Sequence, residues 1–266
     1  DLMSGMGWRF DPIEGHVTED LHRIRYISNH LGPRPLGLLF PNSFSSALLF
    51  SIGRVRNAGF PTDGRRFLLD KVVEEAGTMH EVEHGAIKAW GGTPAWDSVP
   101  EELGMRLLAR HEAAARNLMA EHDIPENFAL LAPIARGLHH GKEKQWKHFN
   151  ELCGPLRDMG IEPIVFPSVR EEEANHAACP NARILPPTTL GNYAALAKRA
   201  RIVIANDSGI SHVAAAVSAN QITLLGVTDP ARTRPWNSKA VCLGNNTDGW
   251  PSLDEVLSAL TRSLNH

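Results

Sequence analysis

One strand–turn–helix–strand pattern constrains the fold of this chain more than any other feature of its sequence. The apolar, β-branched run at 202–204 predicts a buried strand that ends at the turn 206–209, Asn-Asp-Ser-Gly. An apolar helix is expected over 210–218, followed by a second buried strand over 222–225. Two buried strands joined through a helix are typical of a parallel α/β sheet, because a parallel pair needs a long crossover connection.

The turn at 206–209 lies where a parallel sheet binds ligands, at the carboxyl end of a strand. The first N–H groups of the following helix have no partner within it, and the helix dipole there favours an anion. Gly209 lets the backbone come close to a ligand, and Asp207 and His212 bring polar side chains to the same corner. The pattern predicts a phosphorylated ligand. The alternative for His212 is a structural histidine that only hydrogen-bonds within the fold.

Strand and helix signals alternate clearly after residue 124, which predicts a parallel sheet covered on both faces. The first half gives shorter signals, among them a strand over 36–40, a helix over 44–52 and a strand over 55–60. We therefore place a domain boundary between two domains, 1–124 and 125–266. In the second domain the strands are expected at 128–131, 164–166 and 183–185, and the helices at 145–159, 190–199 and 252–264.

Composition excludes several classes of function. The 266 residues carry a net charge of −3, so no basic footprint indicates nucleic-acid binding. Cys153, Cys179 and Cys242 are scattered without a CxxC motif, which predicts reduced thiols in a cytoplasmic protein. No apolar run approaches the roughly 18 residues of a membrane span. His139 and His140 stand side by side without the spaced partners of a metal site, so we predict no metal.

A basic loop, 133–144, follows the first strand of the second domain and ends at Lys144, just before Trp146. A lysine at this place can reach a phosphate as a point charge. The alternative is a solvated basic loop that ends in a helix anchored by the tryptophan. The second phosphate-type turn, at 206–209, favours the phosphate role.

Charged residues follow two further strand ends, and each group has either a structural or a ligand-binding role. The acidic run 171–173 either complements the dipole of its own helix or supplies an acceptor for ribose hydroxyls. Asp229, Arg232 and Arg234 form either a proline-punctuated turn with surface arginines or a wall of the same anion site.

Six segments carry a family resemblance. They are NDSGISHVAAA (206–216), GVTDPARTRPW (226–236), KQW (144–146), LPPTTLGNYAALAKRARIVIANDSG (185–209), PNSFSSALL (41–49) and GFPTDGRRFLL (59–69). They resemble the heptosyltransferases of glycosyltransferase family 9, and in particular the second heptosyltransferase of the lipopolysaccharide core. The resemblance covers most of the chain and is most specific in the second half.

The resemblance implies an α/β chain of GT-B type, with two Rossmann-like domains that face each other across a cleft. The first domain would bind an acidic glycolipid acceptor, an inner-core lipopolysaccharide sugar, and the second would bind the donor, ADP-heptose or a related nucleotide sugar. Such enzymes invert the anomeric centre and use neither a metal nor a cofactor. The glycolipid acceptor is compatible with peripheral contact at the inner face of the inner membrane. A catalytically silent subunit that kept the donor pocket is the alternative function, and a nucleotide-sugar epimerase is a third.

Family roles carry over to residues at matching positions. Lys144 and Asp207 would be the catalytic pair, with Lys144 on the diphosphate and Asp207 helping to hold the donor. Other donor contacts would come from Thr188, Ser208, Gly209, His212, Glu171 and Glu173, and acceptor contacts from Asn42, Ser43, Arg65 and Arg66.

The chain also departs from the family pattern. The family's general base is an aspartate in a glycine-containing first loop, and we expect the first domain to lack this opening βαβ segment. Ser45 stands where the family has a basic residue.

Overall fold

The computed structural model describes residues 1–74, 80–83 and 100–265. It divides into two compact units, one made of Asp1–Trp8 with Pro100–His266 and the other of Arg9–Val99. This division differs from the predicted boundary between residues 124 and 125. Residues 100–124 pack with the second half because the amide of Met105 donates to the carbonyl of Ala216, and because the helix Ala109–Glu121 supplies buried side chains to the core of that half.

The smaller unit contains a parallel three-stranded sheet in the order β1 (Leu36–Leu38), β2 (Arg56–Gly59) and β3 (Lys71–Val72). Phe60 and Val73 are buried in its core. Helix α2 (Phe44–Ile52) has the bounds that the sequence predicts, and the side chain of Ser43 caps its start by accepting the amide of Ser46 at 3.4 Å. The predicted strand over 55–60 is present but shorter. The elements are α1 (Val17–Leu31), β1 (Leu36–Leu38), α2 (Phe44–Ile52), β2 (Arg56–Gly59), a 3₁₀ turn (Arg66–Leu68) and β3 (Lys71–Val72).

The larger unit is built on a six-stranded parallel sheet with apolar cores on both faces. This confirms the parallel, doubly covered sheet that the sequence predicts. Its strands are β4 (Phe128–Ala132), β7 (Glu162–Val165), β8 (Arg183–Ile184), β9 (Ile202–Asn206), β10 (Gln221–Leu224) and β11 (Val241–Leu243), and a separate antiparallel hairpin pairs β5 (Leu138–His139) with β6 (Lys142–Glu143). Its helices are α3 (Ala109–Glu121), α4 (Cys153–Asp158), α5 (Glu172–Ala178), α6 (Leu190–Arg199), α7 (Gly209–Ala216), α8 (Pro230–Thr233) and α9 (Leu253–Leu264).

The strand order of this sheet, β11-β10-β9-β4-β7-β8, reverses direction between β4 and β9. From β4 the chain builds outward through β7 to β8, and it then returns to the other side of β4 as β9. Loops at such a switch point diverge to opposite faces of the sheet and open a crevice outside the carboxyl ends of the two strands. The topology therefore places the loop after β4 and the turn after β9 at one ligand-binding edge.

The helix predicted over 145–159 begins later than expected. Residues 145–149 are not helical, a 3₁₀ turn covers Asn150–Leu152, and α4 follows. The amide of Trp146 donates to a side chain on β9, so this segment anchors a loop. Within the described residues, no helix is long and apolar enough to cross a membrane.

Candidate functional site

The side chain of Asn206, the last residue of β9, joins the two loops at the switch point. Its Oδ1 accepts the amide of Trp146 at 2.9 Å, and its Nδ2 donates to the carbonyl of Pro133 at 2.7 Å. Asn206 is completely buried, so both bonds lie out of water. The amide therefore holds both ends of the basic loop against the turn that opens α7, and Lys144 lies two residues from this anchor.

Trp146 holds the end of the basic loop a second time. Its indole Nε1 donates to the carbonyl of Pro251 at 2.7 Å, and its ring packs edge-on against Phe149 with 5.5 Å between centroids. Trp146 is buried, whereas Lys144 is half-buried. Lys144 therefore extends from a backbone that is held in place by the buried tryptophan two residues later.

The turn that begins α7 leaves a patch of backbone open to a ligand. Ser211 Oγ donates to the carbonyl of Ser208 at 2.8 Å and accepts the amide of Ser208 at 3.4 Å, which closes the first turn of the helix. Gly209 is exposed, and apart from its chain neighbours and its own helix backbone no heavy atom of the described residues lies within 4 Å of the position that a Cβ would take there. The N-terminus of α7 thus presents backbone amides at an open surface, which suits an anion.

Asp207 lies under this turn. Only 4% of the residue is exposed, and its Oδ2 accepts the hydroxyls of Thr228 at 2.6 Å and Thr233 at 3.3 Å. His212 Nε2 lies 3.7 Å from Oδ1, and 44% of the histidine side chain is exposed. The carboxylate therefore ties the loop after β10 to the start of α7. Sequence reasoning did not identify Thr228 and Thr233, although the two hydroxyl residues flank Asp229-Pro230.

The two arginines of the same loop lie in exposed positions. Arg232 is in α8, which Asp229 caps by accepting the amide of Ala231 at 2.9 Å, and Arg234 follows the helix. Their role as a wall of the anion site stays a prediction.

The predicted ribose and adenine residues lie at neighbouring strand ends. Glu171 directly precedes α5 and makes no side-chain capping bond to it; its carboxylate instead accepts Arg136 Nε at 2.8 Å and Ser168 Oγ at 2.6 Å, so it links the loops after β4 and β7. Glu173 is exposed in the first turn of α5, and Thr188 is half-buried just before α6. Of the two glutamates, Glu171 is already engaged within the protein.

Arg65 of the smaller unit differs from the expectation of a surface arginine that binds an acceptor. The residue is completely buried. Its Nε donates to the carbonyl of Phe60 at 2.9 Å, and its terminal nitrogens donate to the following acceptors: the carbonyls of Pro41 (2.6 Å) and Ser43 (3.1 Å), Ser46 Oγ (3.3 Å) and Asn42 Oδ1 (3.3 Å). Burial lowers the pKa of its guanidinium. Arg65 therefore organises the loop that carries Asn42 and Ser43.

Arg66 is in a different environment from its neighbour. Its side chain is 64% exposed and pairs with Glu74 at 3.2 Å, where both groups are well solvated. Asn42 and Ser43 are exposed beside the start of α2. Of the two predicted arginines, Arg66 alone presents its charge at the surface.

Within the described ranges, no group of three or more histidine, cysteine or acidic side chains is arranged to hold a metal ion.

The model of glycosyltransferase family 9 (heptosyltransferase) matches residues 33–260. The chain belongs to this family. The match extends over both units, and it includes the β9–α7 turn and the loop that Arg65 organises.

Among family 9 relatives, lipopolysaccharide heptosyltransferase 2 of Escherichia coli K12 is 26% identical over 220 residues. That match covers 76% of this chain but 62% of the relative, so the chain spans less than two thirds of its length.

Solved structures confirm the predicted GT-B fold class. The structure of the E. coli ADP-heptose lipopolysaccharide heptosyltransferase II aligns with a TM-score of 0.72 and 22% identity, over 94% of this chain and 81% of the other. E. coli heptosyltransferase WaaC with ADP aligns with a TM-score of 0.62 and 17% identity, over 91% and 77%. WaaC with ADP-2-deoxy-2-fluoro heptose gives 0.57 and 20%, over 91% and 76%.

Proposed function

We propose that this family 9 protein transfers a heptose from ADP-heptose to an acidic inner-core sugar of lipopolysaccharide. Family membership supports a glycosyl transfer, and the relatives described above are heptosyltransferases. The structures of WaaC were obtained with ADP and with an ADP-heptose analogue, which supports the same donor class here.

The observation that carries the proposal is the junction at the β4–β9 switch point. There Asn206 holds the Lys144 loop against a helix start that is open at Gly209. We assign the donor diphosphate to this junction, with Ser208, Gly209 and His212 around it and Lys144 as a point charge. Glu173 and Thr188 are assigned to the adenosine, and Glu171 supports them from within the loop.

This arrangement suits an inverting transfer without a metal. An acceptor hydroxyl oxygen attacks the anomeric carbon from the face opposite the diphosphate, and the new glycosidic bond forms as the bond to the diphosphate oxygen breaks. A general base takes up the hydroxyl proton. The electron pair of the broken bond increases the negative charge on departing ADP. Fixed positive groups aimed at such a charge stabilise the transition state, a role that Lys144 and the first amides of α7 would fill.

We assign the acceptor to the smaller unit, where Arg66 offers a bidentate guanidinium to a carboxylate or phosphate. Asn42 and Ser43 would contribute through the loop that Arg65 holds. Because the acceptor is a glycolipid, we propose that the protein acts in the cytoplasm with peripheral contact at the inner face of the inner membrane.

Calorimetry with ADP and a transfer assay test the proposal. Lys144→Ala should weaken ADP binding by about 1.5–3 kcal/mol, which is the usual contribution of a hydrogen bond to a charged group. Lys239→Ala is the control, because this lysine is exposed and lies before β11, at the opposite end of the sheet. Unchanged ADP affinity in Lys144→Ala would overturn the donor assignment.

The transfer assay should give the same turnover with and without excess chelator. Turnover that is lost in chelator and restored by Mg²⁺ or Mn²⁺ would overturn the metal-independent mechanism. ADP binding without any transfer would instead favour a silent nucleotide-sugar-binding subunit.

A further inference from the structure

The side chain of Asn206 contacts both ends of the basic loop, at Pro133 and at Trp146, and Gln145 Nε2 adds a longer bond between those ends by donating to the carbonyl of Ala135 at 3.4 Å. Asn206 is also the residue that directly precedes the Asp207-Ser208-Gly209 turn. We propose that Asn206 is a positioning residue, which sets Lys144 against the N-terminus of α7 so that both act on the same diphosphate. This inference rests on the proposed donor site and assigns a role that the resemblance does not.

The two bonds require an amide at this place. The amide of Trp146 can only donate and the carbonyl of Pro133 can only accept, so the side chain that joins them must offer one acceptor and one donor about one amide apart. An aspartate would keep the bond to Trp146 but would set a carboxylate oxygen against the carbonyl of Pro133. A serine is too short to replace both bonds.

Burial strengthens the bonds of Asn206 to Trp146 and Pro133 and makes their loss costly. Asn206 is fully buried and Trp146 is 3% exposed, so water does not compete for their polar groups. An unmade bond at such a site costs the full desolvation of the group left behind. The indole of Trp146 also donates to the carbonyl of Pro251, at 2.7 Å, which lies in a different loop. Trp146 is therefore fixed in place and cannot shift to restore its bond if the side chain of Asn206 changes.

Because Asn206 lies at the switch point, its bonds order the backbone that carries Lys144. A lysine on a free loop contributes little binding free energy to a phosphate, because ordering the loop on binding costs conformational entropy. The contribution is larger when the lysine backbone is already held near the phosphate. The Asn206 amide supplies that order before the ligand arrives. Because Asn206 is completely buried, we expect its effect on a ligand to pass through Lys144.

A double-mutant cycle on the full chain tests this route, with ADP as the probe. Asn206→Ser should weaken ADP binding about tenfold in the wild-type background, near the low end for one hydrogen bond to a charge. In the Lys144→Ala background, the same substitution should change ADP affinity by less than about threefold. A side chain that merely stabilised the fold would cause the same loss in both backgrounds.

Asn220→Ser is the matched control. Asn220 Nδ2 also donates to two backbone carbonyls, those of Arg201 (3.0 Å) and Ser263 (3.2 Å), but it lies just before β10 at the amino end of the sheet. It should leave ADP affinity within about twofold of wild type even if it lowers stability, since distant sites act independently. A loss equal to that of Asn206→Ser would overturn the inference.

The remaining outcomes also decide the question. If Asn206→Ser does not fold, Asn206→Asp is used in the same cycle, because it keeps the bond to Trp146. If no substitution at 206 folds, the side chain serves folding and the inference fails. Wild-type protein that does not bind ADP would refute the proposed function itself. If the wild type binds ADP and Lys144→Ala weakens that binding, but the two substitutions are additive, the positioning role alone is refuted.

Discussion

Replacing Gly209 by alanine distinguishes an effect on folding from an effect on the donor site. The substitution should keep or raise the stability of the chain but lower its affinity for ADP. Apart from its chain neighbours and the backbone of its own helix, no heavy atom of the described protein lies within 4 Å of the new methyl, and the residue begins α7. The substitution should therefore be neutral or stabilise the chain by up to about 1 kcal/mol, the helix preference of alanine over glycine. A diphosphate held against the first amides of α7 would meet that methyl.

The expected loss of affinity follows from those amides. Displacing the diphosphate from one charge-assisted hydrogen bond costs about 1.5–3 kcal/mol, which raises the Kd for ADP roughly 10- to 150-fold. Calorimetry with ADP and thermal unfolding without ligand measure the two effects.

Gly154→Ala is the control, because Gly154 lies in α4 with equally open surroundings and should change stability without changing ADP affinity. A Gly209→Ala protein that binds ADP as tightly as wild type would show that the diphosphate does not approach this helix.

Four further outcomes are expected. Arg65→Met should cost roughly 3 kcal/mol in urea unfolding, because buried carbonyls lose their donor; a loss below about 1 kcal/mol would contradict its buried role. Arg66→Ala should raise the KM of the acceptor and leave ADP affinity unchanged, and equal effects on both substrates would refute the acceptor assignment. Asp207→Asn should lower kcat by less than about 100-fold in single turnover, whereas a general base commonly contributes up to 10⁴-fold. Hydrogen bonds from Ser252 lower the pKa of Glu255, so the ionised carboxylate stabilises the fold. The Tm of the wild type should exceed that of Glu255→Gln above about pH 4.3, and the difference should shrink as pH falls through the lowered pKa. A difference in Tm that does not change with pH would contradict the capping bond.

The β9–α7 turn could be predicted from sequence because each of its signals is local. A β-branched run, a turn with glycine and an apolar stretch specify strand, turn and helix in order, and the observed helix, Gly209–Ala216, begins one residue before the expected 210–218. Helix α2 was predicted equally well, since its serine cap and apolar run are contiguous in the chain.

The remaining features depend on partners far away in sequence. Residues 145–149 have a helical pattern, yet the amide of Trp146 finds its acceptor on Asn206, 60 positions later. Arg65 and Arg66 are chemically identical neighbours, and only the fold decides that one is enclosed by carbonyls while the other faces water. Propensity describes a residue's own backbone, and such tertiary bonds override it without leaving a local signal.

The position of Asp207 argues for a supporting role. A carboxylate that removes a proton must present an oxygen to the substrate, within hydrogen-bond reach. Asp207 is almost fully buried and already receives two threonine hydroxyls at Oδ2, so its oxygens serve the loop after β10. Its Oδ1 lies 3.7 Å from His212 Nε2, so the same carboxylate also contacts the histidine at the start of α7. The acid therefore holds together the loops that build the site, and proton removal from the acceptor falls to another group.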